Sequence, residues 1–213
     1  MVSYSGSVVR FICICLGLNL IGVGRGESAG LFNTGVGADG NPLASGMADP
    51  HFSLVAAPNP IYNTAYASDS LPGNFLANSS ASKWIGPSSD LNTSVLAGPY
   101  VYRTTFDLTG VPLHSIALVG KGAADDEVAI WLNGIYSHVL LTAGPGSLEQ
   151  FTLNNGFVDG VNTLDFRMMN STFSPTALRM EMSLTQVPEP STYALVALGL
   201  GLFYFPRSKM TRR

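Results

Sequence analysis

Apolar and polar side chains alternate through the middle of the chain. From Tyr100 to Leu108 the aromatic residues Tyr100 and Tyr102 fall on one face with Phe106 and Leu108, which predicts a half-buried strand. Glu127–Leu132, Thr163–Met169 and Ala177–Leu184 alternate in the same way, while His114–Val119 and Phe151–Leu153 are short apolar runs. Breakers recur between them: Asp39-Gly40-Asn41-Pro42, Leu71-Pro72-Gly73-Asn74, Gly98-Pro99, Asn133-Gly134, Gly144-Pro145-Gly146 and Asp159-Gly160. Asn133-Gly134 joins Val128–Leu132 to Ile135-Tyr136 and predicts a tight hairpin, because both turn residues must take positive φ. No amphipathic helix competes. The stretch from Leu31 to about Trp84, with Asn33-Thr34-Gly35 and Asp49-Pro50-His51-Phe52, has no linker-rich break and is expected to supply the first strands of the same domain. The expectation is an all-β sandwich of jelly-roll type.

The two ends follow a different pattern. Residues 1–10 are polar and carry Arg10, residues 11–23 (Phe11 to Val23) are largely apolar, and Gly24, Gly26, Ser28 and Ala29 are small. This order predicts a secretory signal peptide over 1–29, cut between Gly24 and Gly30. The apolar run is shorter than the ~20 residues of a membrane span; an uncut signal anchor is the alternative. At the other end Pro188-Glu189-Pro190 precedes an apolar run from Tyr193 to Phe205, then Pro206 and the basic residues Arg207, Lys209, Arg212 and Arg213. The prolines stop the last strand. The apolar run is expected to be a transmembrane helix with its basic tail on the cytoplasmic side, which puts the domain outside. The predicted organisation is a signal peptide at 1–29, a β-sandwich at 30–186 and a sorting tail at 187–213.

That tail resembles the PEP-CTERM sorting signal of Gram-negative bacteria, in its Pro-Glu-Pro motif, its Gly-rich apolar run and its terminal arginines. The resemblance implies processing near the motif by an exosortase, a membrane protease-transpeptidase. Pro188, Glu189 and Pro190 would be the recognition residues. It also implies export through the secretion machinery with a transient inner-membrane anchor. Pro206 departs from the pattern and would shorten the span; a plain tail anchor that stays in place is the alternative.

Residues 84–184 resemble the galactose-binding-like β-sandwich found as an accessory module in glycosidases and surface proteins. The carrying segments are Tyr102–Phe106, Ala124–Gly134 and Gly160–Phe166. The resemblance implies an incoming strand, a central hairpin and a strand before the close. It speaks for a fold more than for a ligand.

Charge narrows the function classes. Between about residues 30 and 187 the basic residues are Lys83, Arg103, Lys121, Arg167 and Arg179, against twelve acidic ones, for a formal net of −7. Nucleic acid is not an expected partner, because phosphate neutralisation needs clustered Lys and Arg. Cys13 and Cys15 both lie in the leader, so the mature domain would hold no disulfide or thiolate metal site. Cys15 lacks the small preceding residues of a lipoprotein site. Asn78, Asn92 and Asn170 begin glycosylation sequons that such an origin makes irrelevant.

Candidate chemistry is sparse. Asp125-Asp126-Glu127 is the densest acidic cluster. In extended backbone neighbouring side chains point to opposite faces, so a solvated strand start is favoured over a cation or sugar-hydroxyl contact. Asn33, Asp39, Asn41 and Asp49 are candidate ligands of a structural calcium ion, but their spacing does not match an EF-hand, and Asx turns are the favoured reading. Otherwise no cofactor is expected. Trp84, Trp131, Tyr100, Tyr102 and Tyr136 are candidates for a sugar-stacking platform. Trp131 is the best of them, since Val128, Ile130 and Leu132 form the apolar face of its strand; packing of Trp131 under a loop is the favoured alternative. His51, His114 and His138 are scattered, with no HExxH spacing and no GxSxG elbow. The leading expectation is a non-catalytic protein of the cell envelope or extracellular matrix. The companion is a carbohydrate-binding module that contacts extracellular polysaccharide through Trp131, Tyr136, Asp125 and Asp126. A glycoside hydrolase ranks third.

Overall fold

A computed structural model of the protein describes residues 30–186. The predicted leader and the tail lie outside the described residues. With the tail go Pro188, Glu189, Pro190, the predicted transmembrane helix and Arg207, Lys209, Arg212 and Arg213. Among the described residues no helix is long and apolar enough to cross a membrane. The helical content there is one 3-10 turn, Leu113–Ser115.

Ten strands form two five-stranded sheets. The first contains β1 (Ser53–Ala56), β4 (Gly98–Asp107), β9 (Val161–Asn170), β6 (Glu127–Leu132) and β7 (Ile135–Leu141), in that order. The second contains β2 (Tyr66–Ser68), β3 (Trp84–Gly86), β10 (Ala177–Gln186), β5 (Ile116–Asp125) and β8 (Glu149–Leu153), in that order. Every strand pairing is antiparallel.

The alternating faces meet between the sheets. Tyr100, Tyr102 and Phe106 of β4 are buried with Leu164, Phe166 and Met168 of β9 and Val128, Ile130 and Leu132 of β6. They pack with Leu118 of β5, Leu178 and Met180 of β10, and Phe151 and Leu153 of β8. Burying an aliphatic or aromatic side chain of this size is worth about 1.5–3 kcal/mol, so this double layer is the main source of stability.

Two features depart from the sequence pattern. The short apolar run His114–Val119 becomes the 3-10 turn followed by a ten-residue strand, β5, that continues through Gly120 and Gly122. A Cβ on Gly120 would stand 2.6 Å from the Phe151 ring, so the missing side chain is what admits that ring. The N-terminal stretch yields strands, as expected, but only the short β1, β2 and β3. The rest is held by side-chain-to-backbone bonds. Thr34 donates its N–H to the Met180 carbonyl at 3.0 Å and accepts the Met180 N–H on Oγ1 at 3.0 Å. This stitch binds the N-terminal stretch to the flank of β10, which meets β3 only at Leu178 and Ile85.

Candidate functional site

The β6–β7 hairpin turns at Asn133 (φ 51°) and Gly134 (φ 79°), as the Asn-Gly pair predicts. One step further the pairing slips. Trp131 faces Tyr136, but Ile130 faces Val139, leaving Ser137 and His138 without partners opposite. The Ser137 hydroxyl donates to the Ile130 carbonyl at 2.7 Å, and His138 takes φ 64°. Such a bulge re-aims side chains. Here the Tyr136 and His138 rings come to 5.1 Å, and Trp131 to 5.7 Å from Tyr136.

Register across the first sheet completes the row. Trp131 on β6 pairs with Asp165 on β9, which pairs with Arg103 on β4. Arg103 grips Asp165 with two hydrogen bonds, Nε to Oδ1 at 2.6 Å and Nη2 to Oδ2 at 2.9 Å. This bond raises the Arg103 guanidinium above its ordinary value. Arg167, one pleat along β9, lays its guanidinium over the Trp131 ring at 3.8 Å. The outer face of the first sheet thus carries a strip of neighbouring groups, Arg167 and the mutually tilted rings of Trp131, Tyr136 and His138, all half-buried or exposed.

The other proposed stacking residues are not there. Trp84, Tyr100 and Tyr102 are fully buried. Tyr100 and Tyr102 face the inter-sheet core. Trp84 packs against Phe75 on the far side of the second sheet and donates Nε1–H to the Leu76 carbonyl at 2.7 Å. Their alternation marked a core face, and Trp84 stands on a strand too short to show which side it faces.

The acids do not join the platform either. Asp125 and Asp126 lie at the corner between β5 and β6, about 16–20 Å along the chain from Trp131 at ~3.3 Å per residue. Burial pushes the Asp125 carboxyl up to about 6, helped by the neighbouring Asp126 charge. Hydrogen bonds from Ser171 hold Asp126 below its usual range, and Oδ2 accepts the Ser171 N–H at 3.0 Å.

Of the four candidate calcium ligands, Asn33, Asp39 and Asp49 use side-chain oxygens in other hydrogen bonds, and Asn41 donates to Asp39. Asn33 Oδ1 accepts the Met182 N–H at 2.6 Å, while its Nδ2 donates to the Ala81 carbonyl. Asp39 accepts from Asn41 in an Asx turn, which lowers its carboxyl. Asp49 is buried and accepts three backbone N–H groups, those of Gly35, His51 and Phe52. Burial outweighs those donors and lifts its carboxyl above the ordinary range. Among the described residues no three His, Cys, Asp or Glu side chains gather as a metal site.

A second concavity went unread in the sequence. An open groove of about 680 Å³ runs over the outer face of the second sheet, lined by Val119, Lys121, Gln150, Thr152, Glu181 and Ser183 among others. Glu181 is met by Lys121 at 2.9 Å and by Arg179 at 3.3 Å. Burial would raise the Glu181 carboxyl, but Lys121, Ser82 and Arg179 together bring it below its usual range. The groove therefore holds an ion cluster of two cations on one carboxylate and no exposed aromatic face. Its only trace in the sequence is the Gly120-Lys121-Gly122 interruption of a strand.

Residues 186–205 match the PEP-CTERM protein-sorting motif. No relative among curated proteins matches the chain. The motif begins at Gln186, where β10 ends, so the sorting signal follows the sandwich directly. It implies processing by an exosortase, export, and a destination at the cell envelope or outer surface.

Proposed function

We propose that this chain is an exported, non-catalytic protein of the cell envelope or extracellular matrix. An exosortase removes it from a transient inner-membrane anchor, after a leader over 1–29 has been cut. The observation that carries this reading is the sorting motif placed at the end of a folded β-sandwich. The non-catalytic part is supported by the state of the carboxylates. Glu181 is tied into an ion cluster, Asp165 is gripped by Arg103, and Asp125 sits at a corner away from both the groove and the aromatic strip. The sandwich is read as a galactose-binding-like jelly roll. In support, its eight later strands pair as one long folded hairpin, β3 with β10, β4 with β9, β5 with β8 and β6 with β7. The test is fractionation of cells expressing the protein with Pro188, Glu189 and Pro190 changed to alanine. The variant is expected to stay in the inner membrane while the native protein leaves it; identical distribution would reject exosortase sorting.

A second reading, carbohydrate binding by the sandwich, is favoured by the partly exposed Trp131–Tyr136 pair, since stacking rings on an outer sheet face suit the apolar face of a sugar. Trp131→Ala is expected to abolish glycan-dependent changes in tryptophan fluorescence. If glycans change the fluorescence of that variant as they do the native protein, Trp131 is not the contact.

A further inference from the structure

Arg167 differs from every other cation among the described residues. Lys83 meets Asp69 at 2.8 Å, Arg103 holds Asp165 with two hydrogen bonds, and Lys121 meets Glu181 at 2.9 Å. Arg179 is buried and donates to Ser82, Ala77, Ser79 and Glu181. The backbone of Arg167 pairs within the sheet opposite Val101 and Ala129, but its guanidinium makes no hydrogen bond with any described residue. Its nearest carboxylate oxygen, on Asp165, stands 3.7 Å away, beyond hydrogen-bonding distance. That carboxylate is already taken by Arg103, and its side chain is 4 % exposed. The Arg167 side chain is 41 % exposed.

Its position is nonetheless fixed. Its guanidinium carbon stands 3.8 Å from the centroid of the Trp131 ring, a cation–π contact that places the group beside the ring without using an N–H donor in a hydrogen bond. A planar fork whose donors make no hydrogen bond, held beside aromatic rings, is a receptor for a planar anion joined to a ring. The domain as a whole is acidic, so a general attraction for anions is not available, and any preference must come from this one group. Glu127, exposed at the start of β6, lies in the row of Met169, one row beyond Arg167, and bounds the patch on that side.

We propose that the outer face of the first sheet binds carboxylate-bearing (uronic acid) residues of a polysaccharide, with Arg167 taking the carboxylate and Trp131 and Tyr136 the sugar ring. This rests on the carbohydrate-binding reading and adds the class of sugar to it. Arg103 and Asp165 act as positioning residues, since their bidentate pair takes the Asp165 oxygens as hydrogen-bond acceptors and leaves Arg167 only a 3.7 Å ion pair with that carboxylate.

The test titrates the full chain in detergent with short oligogalacturonates and, in parallel, with the same oligomers fully methyl-esterified. Tryptophan fluorescence is the signal; Trp84 is fully buried, so a ligand-dependent change reports Trp131. The free acids are expected to bind at least about tenfold more tightly than the esters, the order of one charge-assisted pair. Arg167→Gln should erase that difference and Arg167→Lys should restore part of it. Thermal melts of both variants matching the native protein exclude misfolding as the cause. Equal binding of acid and ester would overturn the acidic class while leaving the carbohydrate reading standing. Binding of the acid unaltered by Arg167→Gln would overturn the assignment of the site. No change with either oligomer would overturn both.

Discussion

Two side chains show how local environment sets the cost of charge in this sandwich. Asp125 is half-buried beside Asp126, and its carboxyl is pushed up to about 6, against 3.8 for the free side chain. Between those values the folded protein holds a proton that the unfolded chain has released, so stability falls as pH rises through about 4 to 6. Asp125→Asn is therefore expected to raise Tm at pH 7.5 and leave it unchanged at pH 4. After allowance for partial exposure the gain is roughly 1–2 kcal/mol, or a few degrees. Differential scanning calorimetry at the two pH values checks this, and an equal shift at both would mean that the carboxylate's charge is not the cause. Arg179 is the opposite case. It is 2 % exposed, and burial lowers its pKa, yet its guanidinium anchors the loop at Ala77, Ser79 and Ser82 to β10. Arg179→Ala leaves Glu181 and those groups without their donor and should cost about 3–5 kcal/mol, seen as a Tm fall on the order of 10 °C.

At the scale of strands, what the sequence discloses depends on how long a face repeats. β4, β9 and β10 each run ten residues with most of their large apolar residues turned inward, and their alternation is plain in the chain. The β6–β7 hairpin is equally plain, because Asn133-Gly134 admits few other conformations. β1, β2 and β3 are three or four residues long, too short for a period to show; the chain just before β1 is held by Asp49, which accepts the His51 and Phe52 N–H groups, and the chain just before β3 by Thr34, which donates to the Lys83 carbonyl. The second half of β5 is hidden for another reason: Gly120 and Gly122 occupy core-facing positions so that larger neighbours can fill the space. Gly120→Ala should cost about 1–3 kcal/mol by overpacking against Phe151, and the double change with Phe151→Leu should recover part of it in urea titrations. Lack of recovery would mean that Phe151 is not what the alanine meets. The aromatic strip was half legible. Trp131 falls opposite the apolar face of its own strand, which the sequence states. That Arg167 lies over it, and that Asp165 is spoken for by Arg103, depends on pairings between strands more than 30 residues apart, and no local pattern encodes those.

For the whole molecule, the fold and the address meet at one strand. β10 is hydrogen-bonded to β5 along its full length, from Ala177 opposite Asp125 to Gln186 opposite Ile116, and the sorting motif starts at its last residue. A tail attached to β10 stays joined to an interior strand that pairs with β5 on one side and meets β3 on the other. Cutting near Pro188-Glu189-Pro190 would therefore release the sandwich intact. The most direct measurement is the intact mass of the native protein recovered from the envelope and the culture medium. Exosortase sorting predicts a species lacking the leader and ending near residue 190, with a variant carrying alanines at Pro188, Glu189 and Pro190 retaining its tail. A native protein that keeps its full C-terminal tail in every fraction would contradict sorting and make the chain a permanently anchored surface domain.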